Sequence, residues 1–251
     1  MRLRRDQILF EDNHLLVVCK PAGMLTQSDK TGDTSLVDLA TQYRIVNENK
    51  SGNAFVGLIH RLDRPVSGIV MLGKTSKGAS RMSDQWRVGT VRKWYLALVR
   101  QKATAKRIES LSAGSGRWED WLIKSAAENR VRRVKPSQSG SKQAWTTWRR
   151  LASAEKERLH LMLLEPVTGR SHQLRVACSE RGWPMVGDVK YGSEEPGNDG
   201  SIALHAARLQ CSHPTTNEPM TFQAPVPENW HRLARGLPAI DQWPGMIAEV
   251  T

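Results

Sequence analysis

A chain of 251 residues can enclose a core without a disulfide or metal staple, and 39% hydrophobic with 25% charged residues is a globular mixture, not a disordered one. The formal net charge is +12, from 37 Lys and Arg against 25 Asp and Glu, which points to a polyanionic partner. Cys19, Cys178 and Cys211 are far apart and form no CxxC pair, which argues against a disulfide framework or a zinc site and fits a reducing compartment. No apolar run suits a signal peptide or a membrane span, so the expectation is a soluble, cytoplasmic protein without a membrane partner.

In chain order, "ILFEDNHLLVVCKPAG" predicts two short strands, Ile8–Phe10 and Leu15–Cys19, joined by a polar turn and closed by KPAG. "TSLVDLATQYR" predicts a helix, with Leu36, Leu39, Ala40 and Tyr43 on one face and Thr34 or Ser35 as N-cap. A polar loop from Asn47 to Asn53 leads to a strand through Ile59, the HRLD segment and a second strand through "GIVMLG". "SKGASRMSDQW" spaces Ala79, Met82 and Trp86 as a helix does. "RKWYLALVR" alternates as a strand covered on both faces.

Between Gln101 and about Ser141 the pattern weakens and predicts only short strands and loops. "QAWTTWRRLA" and "RLHLMLLEP" predict two further strands. "TGRSHQLRVACSERG" predicts a turn entering a helix capped by Ser171 and stopped by Gly182. "IALHAARLQCSHPTTNEPMTFQAP" predicts a hairpin whose turn holds His213 to Glu218. Strands outnumber helices without strict alternation, so the expected class is α+β, with a mixed, mostly antiparallel central sheet flanked by helices and loops. One domain over 1–251 is expected, its core at about 8–230 and a short C-terminal tail after it, behaving as a monomer.

Basic residues cluster at Arg2, Arg4 and Arg5, at Arg92 and Lys93, in "NRVRRVK" and at Arg149–Arg150, beside nine tryptophans. Each cluster read singly is a solvated surface. Together they suit a phosphate backbone, and RNA or DNA is a better partner than a membrane. There is no GxxxxGK[ST], no GxGxxG and no HExxH, so no nucleotide or cofactor is expected. His60, His172 and His205 lack the i, i+4 pairing of a helical metal site, and scattered histidines are more often structural. In "GLIHRLDRPVSGIVML" a lone acid, Asp63, stands between Arg61 and Arg64, without the second carboxylate that a glycosidase requires. An Asp before an Xaa-Pro pair also starts turns, so local pattern leaves a structural role open.

The order of motifs narrows this. "LLVVCKPAGML", "HRLDRPVSGIVML", "KWYLALV", "GRSHQLRVACSERGWPMVGDVKYG" and "LHAARLQCSHPTTNEPMTFQAPVP" follow one another from about residue 8 to about residue 227. In this the chain resembles the RluA family of RNA pseudouridine synthases. It departs from that pattern at Arg64-Pro65-Val66 and in "VACSERG", neither of which touches the Asp, Tyr or Arg positions. The separate N-terminal RNA-binding domain of some relatives is expected to be absent.

The resemblance implies a pseudouridine synthase fold and the isomerisation of uridine in ribosomal or transfer RNA, without a cofactor or metal. It implies Asp63 as the essential carboxylate, acting as nucleophile on sugar or base or as base toward a ribose proton. Arg175 is its basic partner and Tyr95 the tyrosine that stacks on uracil and accepts the C5 proton. Leu174 becomes a wall of the base pocket, Arg61 the side chain that fills the space of a flipped-out base, and His60 a residue that fixes the loop. Two alternatives stand beside it. One is a catalytically silent RNA-binding domain on the same fold, and the other a metal-dependent hydrolase built on the histidines.

Overall fold

The computed structural model describes residues 2–49, 52–102, 108–125, 128–156, 158–197 and 200–249. In chain order the elements are β1 (Ile8–Glu11), β2 (Leu15–Lys20), α1 (Leu36–Asn47), β3 (Gly57–Leu58), β4 (Ser67–Gly73) and α2 (Ser76–Val88). There follow β5 (Arg92–Arg100), β6 (Ser115–Ser125), β7 (Arg130–Val134), β8 (Lys142–Ala154), β9 (Leu159–Pro166) and α3 (Gln173–Ser179). The chain ends with β10 (Leu204–Ser212), β11 (Pro219–Gln223), α4 (Trp230–Leu233) and α5 (Trp243–Ala248). The class is α+β with mostly antiparallel strands, as the sequence predicts. Two compact units are present, Met1–Arg92 with Ala206–Pro225, and Lys93–His205 with Val226–Thr251.

In the first unit the strand order is β1-β2-β4-β10, with β11 on β10 and β3 on β4. Leu15 and Val17 of β2, Ile69 and Met71 of β4, Met82 of α2, Leu209 and Phe222 form one buried cluster. Ser35 caps α1 and Thr75 caps α2 through side-chain oxygens, and Asp38 returns the bond to the Ser35 backbone N–H. The buried Arg44 near the end of α1 ion-pairs with Glu48 at 2.8 Å and donates to the carbonyls of Phe55 and Lys74. Lys50 and Ser51 of the expected polar loop lie outside the described residues.

In the second unit the order is β5-β9-β8-β6-β7, and each neighbouring pair is antiparallel. The expectation of only short strands before Ser141 is corrected here: β6 has 11 residues. Its inward positions are Trp118, Asp120 and Leu122, and a charged residue in the middle hides the alternation that marks a strand. Asp120 is buried because Arg181 meets both its oxygens at 3.1 Å and Arg133 a further 2.9 Å contact. Residues 103–107 and 126–127 of this stretch lie outside the described residues.

The helix after "TGR" also starts differently. Its N-cap is His172 in the left-handed region (φ 50°), not Ser171. Gln173 accounts for this, because its Oε1 accepts from Thr168 Oγ1 and Arg170 N–H, winding the chain into a tight turn before the helix. Gly182 (φ 83°) ends the segment as expected, with Trp183 N–H donating to Cys178 O. The segment after Val226 contributes α4 and α5, whose Trp230 and Trp243 are buried and pack edge to face.

Candidate active site

Asp63 lies on the loop between β3 and β4, which the first unit ties down at several points. β3 is only two residues long and stops short of Ile59. From there the His60 ring takes over as strand partner, its Nε2 accepting the Met71 backbone N–H at 3.0 Å while the ring stacks on Trp86 at 4.5 Å. A side chain in place of a ladder bond lets the backbone leave the sheet without orphaning Met71. Leu62 is buried and held at both backbone groups by Thr26, whose Oγ1 donates to Leu62 O (2.8 Å) and accepts from Leu62 N–H (3.2 Å). Val66 N–H donates to Asp63 O at 3.0 Å and closes the turn. Asp63 itself is half-buried at the apex.

Gly68 follows at φ 116°, and a Cβ there would stand 2.4 Å from the Ala206 carbonyl oxygen. This is why glycine follows Ser67 where β4 begins against β10.

The two arginines beside Asp63 have separate surroundings. Arg64 is exposed, ion-pairs with Asp33 at 2.7 Å and donates to Gly23 O at 3.0 Å, so it fastens the loop after β2. Arg61 is exposed. Lys20 of KPAG is fully buried, and its Nζ donates to the carbonyls of Pro21 (3.0 Å), Met24 (2.8 Å) and Arg64 (3.3 Å). Burial pushes the Lys20 ammonium down to about 7, against the charge of Asp63, which favours the protonated form. Sequence reading quoted KPAG and gave Lys20 no part. No signal in the letters marks it, because a lysine at the end of an apolar strand is as readily solvated as buried.

In the second unit, Tyr95 of β5 is half-buried and pairs with Leu164, the residue that Trp148 of β8 also faces. Side chains directly opposite share a sheet face, so Tyr95, Trp148 and the inward residues of β6 lie on one side. The helix α3 packs on that same side, with Val176 against Leu122 and Ala144. Both expected residues of α3, Leu174 and Arg175, are buried.

Arg175 is gripped by a partner that sequence reading missed. Its Nε and Nη2 donate to the two oxygens of Asp188 at 2.7 and 2.8 Å, with Arg175 6% and Asp188 1% exposed. The guanidinium also lies 4.9 Å from the centre of the Tyr191 ring. Tyr191 in turn bonds through its hydroxyl to His172 Nδ1 (2.6 Å) and to Val131 N–H (2.9 Å). Asp188 and Tyr191 are the acid and tyrosine of "GDVKYG", so that block forms the cradle of Arg175. The remaining expected histidine, His205, packs against Trp230.

Residues 14–180 match the family model described as RNA pseudouridylate synthase. The chain is 34% identical over 230 residues to "Uncharacterized RNA pseudouridine synthase YhcT" of Bacillus subtilis (strain 168), covering 91% of this chain and 71% of that one. It is 31% identical over 242 residues to "Ribosomal large subunit pseudouridine synthase C" of Escherichia coli (strain K12), covering 92% and 70%. To "tRNA pseudouridine synthase C" of Salmonella typhi it is 30% identical over 257 residues, covering 90% and 88%. Among solved structures, "Human RNA Pseudouridylate Synthase Domain Containing 1" superposes with a TM-score of 0.70 at 23% identity, covering 100% and 98%. The chain therefore belongs to the RNA pseudouridylate synthase family, isomerases that act on RNA, and to the RluA group that its motifs indicate.

Proposed function

We propose that this protein isomerises uridine to pseudouridine in ribosomal or transfer RNA, with Asp63 as the catalytic carboxylate. The observation that carries the reading is the HRLD loop. It raises one carboxylate at the apex of a turn pinned by Thr26, His60 and Lys20. A pinned carboxylate needs no reorganisation when charge develops on the nucleotide. The reaction itself is balanced within one nucleotide. The N1–C1′ bond breaks, the uracil turns, a C5–C1′ bond forms, and the proton leaving C5 is matched by one gained at N1. No oxidant, water or second substrate enters.

In this reading Asp63 attacks the nucleotide or removes a ribose proton, and Tyr95 stacks on the uracil and takes the C5 proton, a phenol serving both ends. Arg175 is carried over as the guanidinium partner of the catalytic carboxylate, its Nε and Nη2 being oriented by Asp188. Leu174 is assigned to the base pocket. A stacked uridine is out of reach until extruded, at a cost of a few kcal/mol, and the exposed Arg61 is assigned the vacated place. The names of the relatives favour ribosomal or transfer RNA as substrate.

The test is carbodiimide mapping of pseudouridine in total RNA from cells with and without the gene, complemented by variants. Asp63→Asn is expected to bind RNA as the parent does and to form no pseudouridine. Tyr95→Phe keeps stacking and loses turnover. An active Asp63→Asn variant would remove the proposal.

A further inference from the structure

On the side of the second unit's sheet opposite Tyr95, a concave pocket of about 430 Å³ opens between β5, β6, β8 and β9. That volume lies within the roughly 300–1,000 Å³ typical of ligand pockets. The strand registers place it there. Leu163 faces Leu96 on one side and Arg149 on the other, while Thr147 faces both Arg117 and Glu165. All belong to the face turned away from Leu164 and Tyr95, and so does Trp94, two residues from Leu96.

The floor is apolar, made of Trp94 and Leu163, and the rim carries Arg117, Arg149, Thr147 and Glu165. Arg117 does not reach into solvent as a lone charge. Its guanidinium carbon lies over the Trp145 ring, 4.0 Å from the centroid. A cation already lying on an indole keeps its outer planar face available to a further ring, and guanidinium planes are common stacking platforms for unpaired bases. Arg149, an exposed neighbour on the same face, is suited to a phosphate, while the Glu165 carboxylate accepts from an amino or imino group on a base edge. A stacking plane, a phosphate cation and a base-edge acceptor together describe one unpaired nucleotide.

We propose that this pocket is a second RNA-contact site, holding one unpaired nucleotide remote from the uridine being modified. It rests on RNA being the substrate class, and on nothing about Asp63. The charge complementarity favours RNA, since the chain carries +12 and the pocket sets two arginines against one acid.

The test uses the full chain and a fluorescein-labelled single-stranded oligoribonucleotide of eight residues, read by anisotropy across a salt series. Arg117→Ala with Arg149→Ala is expected to weaken octamer binding about tenfold and to flatten the salt dependence by about one phosphate's worth. Arg117→Lys, which keeps charge and loses the plane, is expected to lose about threefold. Photocrosslinking of a 4-thiouridine octamer is expected to label the peptide containing Trp145. Equal octamer affinity in parent and double variant overturns the proposal. So does a double variant that loses polyglutamate but not octamer, which would give the pocket to an acidic peptide. Pseudouridine formation by the double variant is measured separately on a minimal stem-loop, where it is expected to be unchanged. A parent that makes no pseudouridine yet binds the octamer through Arg117 and Arg149 would fail the proposed function and leave this site standing.

Discussion

Replacing Asp188 by Asn removes one negative charge, changes no volume and leaves the Arg175 guanidinium buried. The parent pair is bidentate, at 2.7 and 2.8 Å, with both side chains almost wholly inaccessible. Breaking a buried ion pair from one side costs about 3–5 kcal/mol, because the remaining charge keeps its desolvation penalty. An Asn keeps one acceptor oxygen toward the fork, so the lower end, about 3 kcal/mol, is expected. For a chain of this size about 2–4 °C accompanies each kcal/mol, so the melting temperature should fall by about 6–12 °C. Far-UV circular dichroism melts and urea titrations of the two proteins measure this directly. A second variant, Asp188→Leu with Arg175→Met, removes both charges and should recover much of the loss. A fall below about 2 °C for Asp188→Asn, or a double variant no more stable than the single one, would refute the view that this pair holds α3 in place.

Lys20 yields a prediction about pH. Its ammonium titrates near 7 in the folded chain against 10.5 for an unperturbed lysine, so between those values the unfolded chain binds the extra proton and stability rises with pH. The gain is of order 1 kcal/mol per pH unit above 7, is complete near 10.5, and is absent below 7 where both states are charged. Urea midpoints at pH 7 and 9 should show this slope in the parent and not in Lys20→Met. An unchanged slope in the variant assigns it to other groups. Gly68→Ala is expected to destabilise the first unit by several kcal/mol, since φ 116° and a backbone oxygen 2.4 Å from the new Cβ leave nothing to yield cheaply. A purified Gly68→Ala protein with the parent's midpoint would contradict it.

What the sequence determined by itself was local. The apolar spacing of "TSLVDLATQYR" and a cap at Thr34 or Ser35 marked α1, and the alternation in "RKWYLALVR" marked β5, because helix and strand periods are properties of neighbouring residues. The order of motifs carried the family, and with it the roles proposed for Asp63, Tyr95 and Arg175. The tertiary structure decided which groups meet. β6 was hidden because its central inward residue is Asp120, tolerable only once Arg181, 61 positions on, closes over it. The grips of Lys20 on Arg64 and of Asp188 on Arg175 were illegible for the same reason. A buried charge looks like any surface charge in a string of letters, and only the fold shows that water has been removed and which carbonyl or carboxylate has replaced it.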